Sequence, residues 1–235
     1  MYVKRQAAPV REQAAKNIRE AIISGFYSPG QRLYEKELCE LTGVSRTSIR
    51  EALRQLEAEG IIKMLPSRGP CVAKLTLDEV RENYEVRMIL ESHAFRMFAE
   101  RATEGQIREI DELLKNLERG YAARNSGDIV RLKDQFYERI LDGCGNSLIR
   151  SFLKSINART AFLRKITLSS NARMDESIRE VKKIVRHLKK RDGEGAFLAS
   201  IEHTTKAQEA ALSSLEGSLG ARPADNSCGS PIRRG

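Results

Sequence analysis

Arginine and hydroxyl side chains are concentrated in one short stretch of the chain, residues 45–50. The apolar residues Ile49, Leu53 and Leu56 fall at four- and three-residue steps, so they form the buried stripe of a helix. The opposite face carries Arg46, Thr47, Ser48 and Arg50. Such side chains at the start of a helix contact base edges and phosphates in the DNA major groove. The pattern predicts a recognition helix capped by Ser45.

The residues around this helix predict a winged helix-turn-helix. Residues 35–42 form a first short helix, and Gly43 stands where the chain must turn in a left-handed conformation. Residues 61–73 predict a hairpin that turns through Pro66-Ser67-Arg68-Gly69-Pro70. Arg68 is then at the tip of a basic wing, and Gly69 would let the wing backbone approach the minor groove.

The stretch from Val10 to Leu75 resembles the N-terminal domain of GntR-family transcription regulators. The matching motifs are Ala21-Ile22-Ile23-Ser24-Gly25, Ser28-Pro29-Gly30-Gln31-Arg32-Leu33, Gly43-Val44-Ser45-Arg46-Thr47 and Arg50-Glu51-Ala52-Leu53. The resemblance implies that DNA contacts come from Lys36, Arg46, Thr47, Ser48, Arg50, Arg68 and Gly69. We include Ser45 among them as the residue that begins the recognition helix.

Composition agrees with a nucleic-acid partner. The chain has 235 residues and a net charge of +9, and its length suits two ordinary domains. Residues 1–74 hold thirteen Lys and Arg against eight Asp and Glu, whereas residues 75–216 hold twenty-five against twenty-three. The positive surplus therefore lies in the segment that would meet the phosphates.

Several function classes are excluded by what the sequence lacks. No run of eighteen apolar residues exists and the N-terminus has no signal-peptide core, so we expect a cytoplasmic protein without a membrane partner. The four cysteines lie far apart, which does not indicate a zinc ribbon or a disulfide framework. No phosphate-binding loop or nucleophile elbow is present, so the sequence does not predict an enzyme.

The spacing of apolar residues predicts a mainly α fold in three zones. Residues 1–74 form the winged helix-turn-helix domain, and residues 75–216 form an antiparallel helical bundle without strands. Residues 217–235 are rich in Gly, Ser and Pro and cannot bury enough apolar surface, so we predict a disordered tail.

The second zone resembles the helical effector-binding domain of the FadR-type branch of GntR regulators. The motifs are Tyr84-Glu85-Val86-Arg87 with Leu90-Glu91, Glu100-Arg101-Ala102-Thr103, Gly127-Asp128, Gly145-Asn146 and Asp192. The resemblance implies a helical bundle around a ligand cavity, often with a divalent metal held by one aspartate and three histidines. It also implies that the bundle relays ligand occupancy to the DNA-binding domains of a dimer.

The chain departs from that metal pattern. Lys133 stands at the aspartate position and Tyr137 at the first histidine position. Val181 stands at the second histidine position, so only His203 matches a ligand. A metal ion needs three or more converging donors. The sequence therefore predicts neither a metal site nor another cofactor.

A positive side chain is the predicted replacement for the metal. A cavity that holds an organic anion needs a positive charge, and Lys133 stands at the vacated position; Arg87, Arg159 and Arg164 are further candidates because guanidinium groups suit carboxylates. Tyr137 and His203 would add neutral hydrogen bonds, and Val181 completes the candidate effector site. An alternative is an apolar cavity for a fatty or aromatic ligand, lined by Phe95, Phe98, Phe152 and Phe162.

Together these patterns predict a ligand-responsive transcription regulator, a repressor, that binds a palindromic operator as a homodimer and responds to a small carboxylate. The alternative is a DNA-architectural protein whose helical domain only dimerises. An architectural protein would bind DNA with little sequence preference and no ligand response.

Overall fold

The computed structural model describes residues 8–167 and 170–220 of the chain. Over these residues the protein is mainly helical with one short hairpin, as predicted. We call the first group of elements the head, namely α1 (Ala8–Ile23), α2 (Glu35–Thr42), α3 (Arg46–Ala58), β1 (Ile62–Leu65) and β2 (Gly69–Val72). We call the second group the bundle, namely α4 (Leu77–Arg101), α5 (Glu104–Ala122), α6 (Ser126–Gly143), α7 (Ser147–Thr167), α8 (Asn171–Lys189) and α9 (Gly193–Gly220).

The head encloses its own apolar core. Ile18 from α1, Leu38 from α2 and Ile49 and Leu56 from α3 are all at most 2% exposed. The hairpin strands pair in an antiparallel register that runs from Ile62 opposite Val72 to Leu65 opposite Gly69. The predicted turn between α2 and α3 is present, because Gly43 has a φ of 68° and caps α2.

Local signals in the sequence explain where the bundle helices begin. The Thr76 side chain accepts a hydrogen bond from the backbone of Glu79, and the Glu79 side chain accepts one from the backbone of Thr76. Thr103 and Gln106 form the same reciprocal capping box at the start of α5. Each pair satisfies two of the backbone N–H groups that a helix leaves without partners at its first turn.

Helices α4 and α9 lie antiparallel and form the centre of the bundle. His93 contacts Phe197 edge-on, and the Thr205 hydroxyl lies 3.8 Å from the Met88 sulfur. Phe95 and Phe98 on α4 are fully buried in the main apolar core. The same face of α4 also carries Arg87 and Glu91, so these two polar residues are buried in the interior of the bundle.

The end of the bundle differs from the prediction. Helix α9 continues to Gly220, so residues 217–220 extend a helix instead of belonging to a disordered tail. Residues 221–235 lie outside the described residues. Within the described residues, no helix is both long and apolar enough to cross a membrane.

Candidate functional site

The recognition helix presents its polar side chains as the spacing predicted. The Ser45 hydroxyl accepts a hydrogen bond from the Ser48 backbone N–H and caps α3. Arg46 and Thr47 are exposed in the first turn, while Ile49 and Leu53 are buried on the opposite face. Ser45 and Ser48 therefore have a local structural role in starting the helix, in addition to any contact with DNA.

Two other predicted DNA-contacting residues have partners within the head. Nε of Arg50 lies 3.0 and 2.9 Å from the two carboxylate oxygens of Glu35 on α2. Lys36 is highly exposed and lies 3.9 Å from Glu40. Both ion pairs are on the surface, where such pairs contribute little free energy, so DNA phosphates can compete for these cations.

The wing leaves its tip open. Arg68 is exposed between the two strands. Gly69 has a φ of 71°, and a Cβ added there would meet nothing within 4 Å. The tip is therefore free to enter a DNA groove. The turn also requires a left-handed backbone at Gly69, which glycine adopts most easily.

The interior of the bundle contains a connected group of polar side chains, which we call the polar cluster. Its members come from α4, α5, α6, α8 and α9 and are Arg87, Glu91, Tyr121, Lys133, Tyr137, Arg173, Ser177, Glu180 and His203. Four of the seven predicted effector residues, Arg87, Lys133, Tyr137 and His203, are in this cluster, although they are up to 116 positions apart in the sequence.

His203 is at the centre of the cluster. Its Nδ1 lies 2.5 Å from a carboxylate oxygen of Glu180. Its Nε2 lies 3.3 Å from Nζ of Lys133 and 3.1 Å from the hydroxyl of Tyr137. Burial and the nearby Lys133 charge lower the pKa of His203 to about 4, so the ring is neutral at pH 7. The neutral ring donates from Nδ1 to Glu180 and presents the Nε2 lone pair to Lys133 and Tyr137.

Two guanidinium groups complete the cluster. Arg173 binds both carboxylate oxygens of Glu180 at 2.8 and 2.9 Å. Burial would raise the pKa of Glu180, but the hydrogen bonds from His203 and Arg173 lower it to about 2. Arg87 donates from Nε to Glu91 at 2.5 Å and from Nη2 to Tyr137 at 3.1 Å. Burial opposes the charge of Arg87, but the Glu91 carboxylate keeps its pKa above the ordinary value.

The donor set does not fit the divalent metal that the FadR-type resemblance implies. A metal-binding histidine usually donates one ring nitrogen to a carboxylate and offers the other to the ion. His203 has this arrangement, but its Nε2 faces the Lys133 ammonium group. Val181 is 1% exposed within the apolar core and offers no ligand. Among the described residues, no three His, Cys, Asp or Glu side chains lie close enough together to hold a metal.

The cluster carries one more positive charge than negative. Its basic side chains are Arg87, Lys133 and Arg173, its acidic side chains are Glu91 and Glu180, and His203 is neutral at pH 7. Arg87 pairs with Glu91 and Arg173 with Glu180, whereas Lys133 contacts Ser177 and His203. Among the described residues, the buried polar atoms without a hydrogen-bond partner include Nη1 of Arg87 on α4 and, on α9, Oγ of Ser200 and Oγ1 of Thr204. Buried polar groups without partners are unfavourable by about 1–3 kcal/mol each. An anionic ligand with several acceptor oxygens would satisfy both the charge and the donors.

The remaining predicted effector residues lie elsewhere. Arg159 is exposed and donates to the backbone carbonyl of Glu59 in the head, so the structure does not bring it together with the polar cluster. The sequence alone did not indicate which side of α7 faces the head. The side chains of Arg164 and Phe162 lie outside the described part of the chain.

The structure also weakens the apolar alternative. Phe95 and Phe98 are fully buried and pack within the main core, where Phe95 contacts Phe136 and Tyr137. Phe152 is 61% exposed on the outside of α7, so it does not line an interior cavity. Phenylalanines at helical spacing therefore belong mainly to the packing of this bundle.

Sequence reasoning missed several members of the cluster. Arg173, Ser177 and Glu180 follow one another at steps of four and three residues, which places them on one face of α8. Ser177 accepts a hydrogen bond from Lys133 at 3.1 Å and contacts the Tyr121 hydroxyl at 2.7 Å. This polar stripe adjoins buried Val181 and Ile184 and was a readable signal of a polar interior.

Comparison with known proteins decides the family. Residues 10–72 match the profile for bacterial regulatory proteins of the gntR family, and residues 82–206 match the FCD domain. The chain belongs to the GntR family and carries an FCD domain. This GntR regulator is therefore a DNA-binding transcription regulator with a helical effector domain.

Individual relatives agree with this assignment. An HTH-type transcriptional regulator, YdhC of Bacillus subtilis, is 29% identical over 83% of this chain and 88% of its own length. The gluconate operon transcriptional repressor of Bacillus licheniformis is 27% identical over 91% of this chain and 83% of its own. The solved structure of E. coli McbR/YncC, at 22% identity, covers 88% of this chain and 98% of its own with a TM-score of 0.79, which supports the shared fold.

The first prediction concerns pH and His203. Because the folded pKa of about 4 lies below the ordinary 6.5, unfolding takes up a proton between these values, and stability falls as pH drops from 6.5 to 4. This contribution is on the order of 3 kcal/mol. In His203→Gln, urea unfolding at pH 7, 6, 5 and 4 should show a correspondingly weaker pH dependence. His93→Gln, at an exposed position, should behave like the parent; equal pH dependence in all three proteins would contradict the assignment.

Proposed function

We propose that this GntR regulator is a repressor that binds a palindromic operator as a homodimer and is modulated by a small organic acid bound in the polar cluster. The observation that carries the proposal is the surplus positive charge beside the unpartnered Arg87 Nη1, deep in a helical effector domain. The name of the Bacillus licheniformis relative, a gluconate operon repressor, agrees with an organic acid as ligand.

The carboxylate of the ligand would bind Lys133 and Arg87. A carboxylate buried without a partner is strongly unfavourable, so an anion enters this interior only if cations meet it there. Tyr137 and His203 already contact Lys133 or Arg87 and would reorient as the anion takes over these hydrogen bonds. The hydroxyls of Ser200 and Thr204, four residues apart on α9, would serve the remaining ligand oxygens.

The DNA contacts would come from α3 and the wing. Arg46 and Arg50 suit guanine edges, because a guanidinium group binds O6 and N7 together. Thr47 and Ser48 suit phosphates, as does Lys36 on α2. Arg68 and Gly69 would reach the minor groove beside each half-site.

The second prediction tests base reading. Arg46→Ala should weaken operator binding by about 1–3 kcal/mol per half-site and flatten base preference, because it removes a bidentate base contact. Thr47→Ala should weaken binding with less loss of preference. Titrations against operator and scrambled duplexes, with the exposed bundle residue Arg119→Ala as a charge control, provide the measurement. Full discrimination in Arg46→Ala would place sequence reading elsewhere, whereas indifference of the parent to sequence would favour the architectural alternative.

A second copy of the chain would cover an apolar surface on the bundle. Val86, Ile89 and Leu198 are 46%, 61% and 57% exposed and lie along the paired α4 and α9. Large exposed apolar residues on neighbouring helices are typical of protein interfaces. Because one head makes too few contacts for tight specific binding at physiological salt, a dimer suits the proposed operator.

The third prediction tests that dimer. Light scattering should give twice the chain mass of 26.5 kDa. Ile89→Lys should shift the protein toward the monomer and weaken binding to a two-fold operator, because it places a charge in the interface. Leu148→Lys, at a position 69% exposed on α7, should remain dimeric. A parent protein that is monomeric while it protects a two-fold operator would overturn the dimer.

The fourth prediction tests the anion site. Lys133→Met keeps the length of the side chain and removes the charge, so it should weaken carboxylate binding at least tenfold while operator binding without ligand remains. Calorimetry with gluconate and a panel of other small carboxylates measures the loss, and Lys115→Met on the surface of α5 is the matched control.

The same site should work without metal. EDTA should change neither the melting temperature nor the carboxylate response, and elemental analysis should find well under one divalent ion per chain. Stoichiometric zinc, nickel or manganese whose removal destabilises the protein would contradict this expectation.

An unaltered carboxylate response in Lys133→Met would instead favour the apolar ligand alternative.

A further inference from the structure

The end of the recognition helix is in contact with the bundle. Helix α3 ends at Ala58, and Glu59 is its C-cap. Nε of Arg159, on α7, donates a hydrogen bond of 3.0 Å to the Glu59 carbonyl. A helix C-terminus leaves carbonyl groups without partners and carries a partial negative charge. The guanidinium group of Arg159 gives one of these carbonyl groups a hydrogen-bond donor and places a positive charge at the negative end of the recognition helix.

The next residue makes the contact a close one. Gly60 has a φ of 71°, and a Cβ added there would lie 2.3 Å from Nε and 2.5 Å from Cζ of Arg159. The guanidinium group therefore lies against a stretch of backbone that only glycine leaves open. Gly43, at the end of α2, has a similar φ of 68°, but nothing lies within 4 Å of its added Cβ. The requirement for space at Gly60 thus comes from Arg159 and not from the turn alone.

Glu59 also connects the helices of the head. Its carboxylate accepts hydrogen bonds from Arg19 on α1 at 2.8 to 3.0 Å. Nε2 of Gln55 on α3 donates to the same carboxylate at 3.1 Å. A displacement of Arg159 would therefore move α1 and α3 together, because both helices are hydrogen-bonded to Glu59.

Two clefts lie beside this contact, between the head and the bundle. A cleft of about 610 Å³ is lined by Glu59 and Arg19 from the head and by Tyr137 from the bundle. A second cleft, of about 480 Å³, is lined by Arg159 and Gly60. Besides this contact, the described residues include a Lys63–Glu79 ion pair of 2.8 Å and Ile23 packed on the bundle core. Helix α1 also packs against α7, and the Arg159 hydrogen bond adds a contact at the C-terminus of the recognition helix itself.

We infer that Arg159 is a positioning residue for DNA binding: its contact with Glu59 and Gly60 holds the recognition helix in one orientation relative to the bundle. Tyr137 lines the first cleft, and its hydroxyl lies in the polar cluster. A ligand that displaces Tyr137 would change the cleft and shift the head against this contact. This second step rests on the proposed carboxylate response, whereas the positioning role does not.

The direct test measures the orientation of the head. Spin labels at Leu41 and Leu148, introduced as non-canonical residues and diluted with unlabelled chain, report one head-to-bundle distance, since both positions are highly exposed. The parent should give a narrow distance distribution, and Arg159→Ala and Gly60→Ala should each give a broader one. Arg150→Ala, on the same helix but paired with Asp142 inside the bundle, and Gly43→Ala should resemble the parent. An unchanged distribution in Arg159→Ala would overturn the inference.

The functional test uses duplexes with one or two half-sites selected by the parent protein. Arg159→Ala should bind a single half-site within twofold of the parent, because the reading face is intact. It should bind two half-sites at least tenfold more weakly and tolerate changes of one or two base pairs in their spacing. An equal spacing preference in the two proteins would overturn the inference even if affinity falls.

The link to the ligand is read separately. In Arg159→Ala, gluconate or another carboxylate that binds the parent should bind with the same affinity by calorimetry, but it should no longer change operator binding. If that carboxylate still changes operator binding in Arg159→Ala, the coupling through Arg159 is overturned. If no carboxylate binds the parent, the proposed function fails, while the distance measurement still decides the positioning role.

Discussion

The hydrogen bond between Glu180 and His203 governs the electrostatics of the bundle interior. Arg173 holds the Glu180 carboxylate through both oxygens, so the carboxylate orients the histidine ring and keeps Nδ1 as the donor. The lone pair on Nε2 of His203 then points to the centre of the polar cluster, where it faces Lys133 and Tyr137 on α6. The arrangement matches the carboxylate–histidine pairing found beside metals, with an ammonium group in the place of the ion. A cation that belongs to the chain needs no metal supply and cannot be removed by chelation.

Stability alone does not account for such a cluster. Replacing buried ion pairs with apolar residues of similar volume is often neutral or stabilising, so charged groups in a helical bundle are weak evidence for a stabilising role. Strongly shifted pKa values and convergent polar groups are more typical of functional sites. The unpartnered Nη1 of Arg87 and the unbalanced charge point the same way. The proposed carboxylate ligand would supply the partner that these groups lack.

The contact between Arg159 and the end of the recognition helix connects the DNA-reading face to the bundle that holds the proposed ligand site. The N-terminal half of α3 presents Arg46 and Thr47 outward, and its C-terminal cap contacts Arg159. A rigid helix transmits a displacement at one end to the side chains at the other end. A shift of the C-terminal cap of α3 would therefore also shift the side chains that contact DNA. Tyr137 stands between the polar cluster and the cleft beside that cap, which gives the proposed ligand a short physical route to the head.

The resemblance to FadR-type regulators pointed to four residues of the polar cluster, whereas the sequence pattern by itself determined the winged helix-turn-helix and the helical bundle. These features depend on local rules: apolar periodicity, the left-handed turn at Gly43 and the capping boxes at Thr76 and Thr103 are written within a few residues of one another. Tertiary structure decided the partners. That Glu180 orients His203, that Glu35 pairs with Arg50 and that Arg159 contacts Glu59 depend on how separate helices pack, because residues 15 to 100 positions apart meet only when the core is formed. Burial then set the charge state of His203, since a histidine in water and one excluded from it differ in the free energy of protonation.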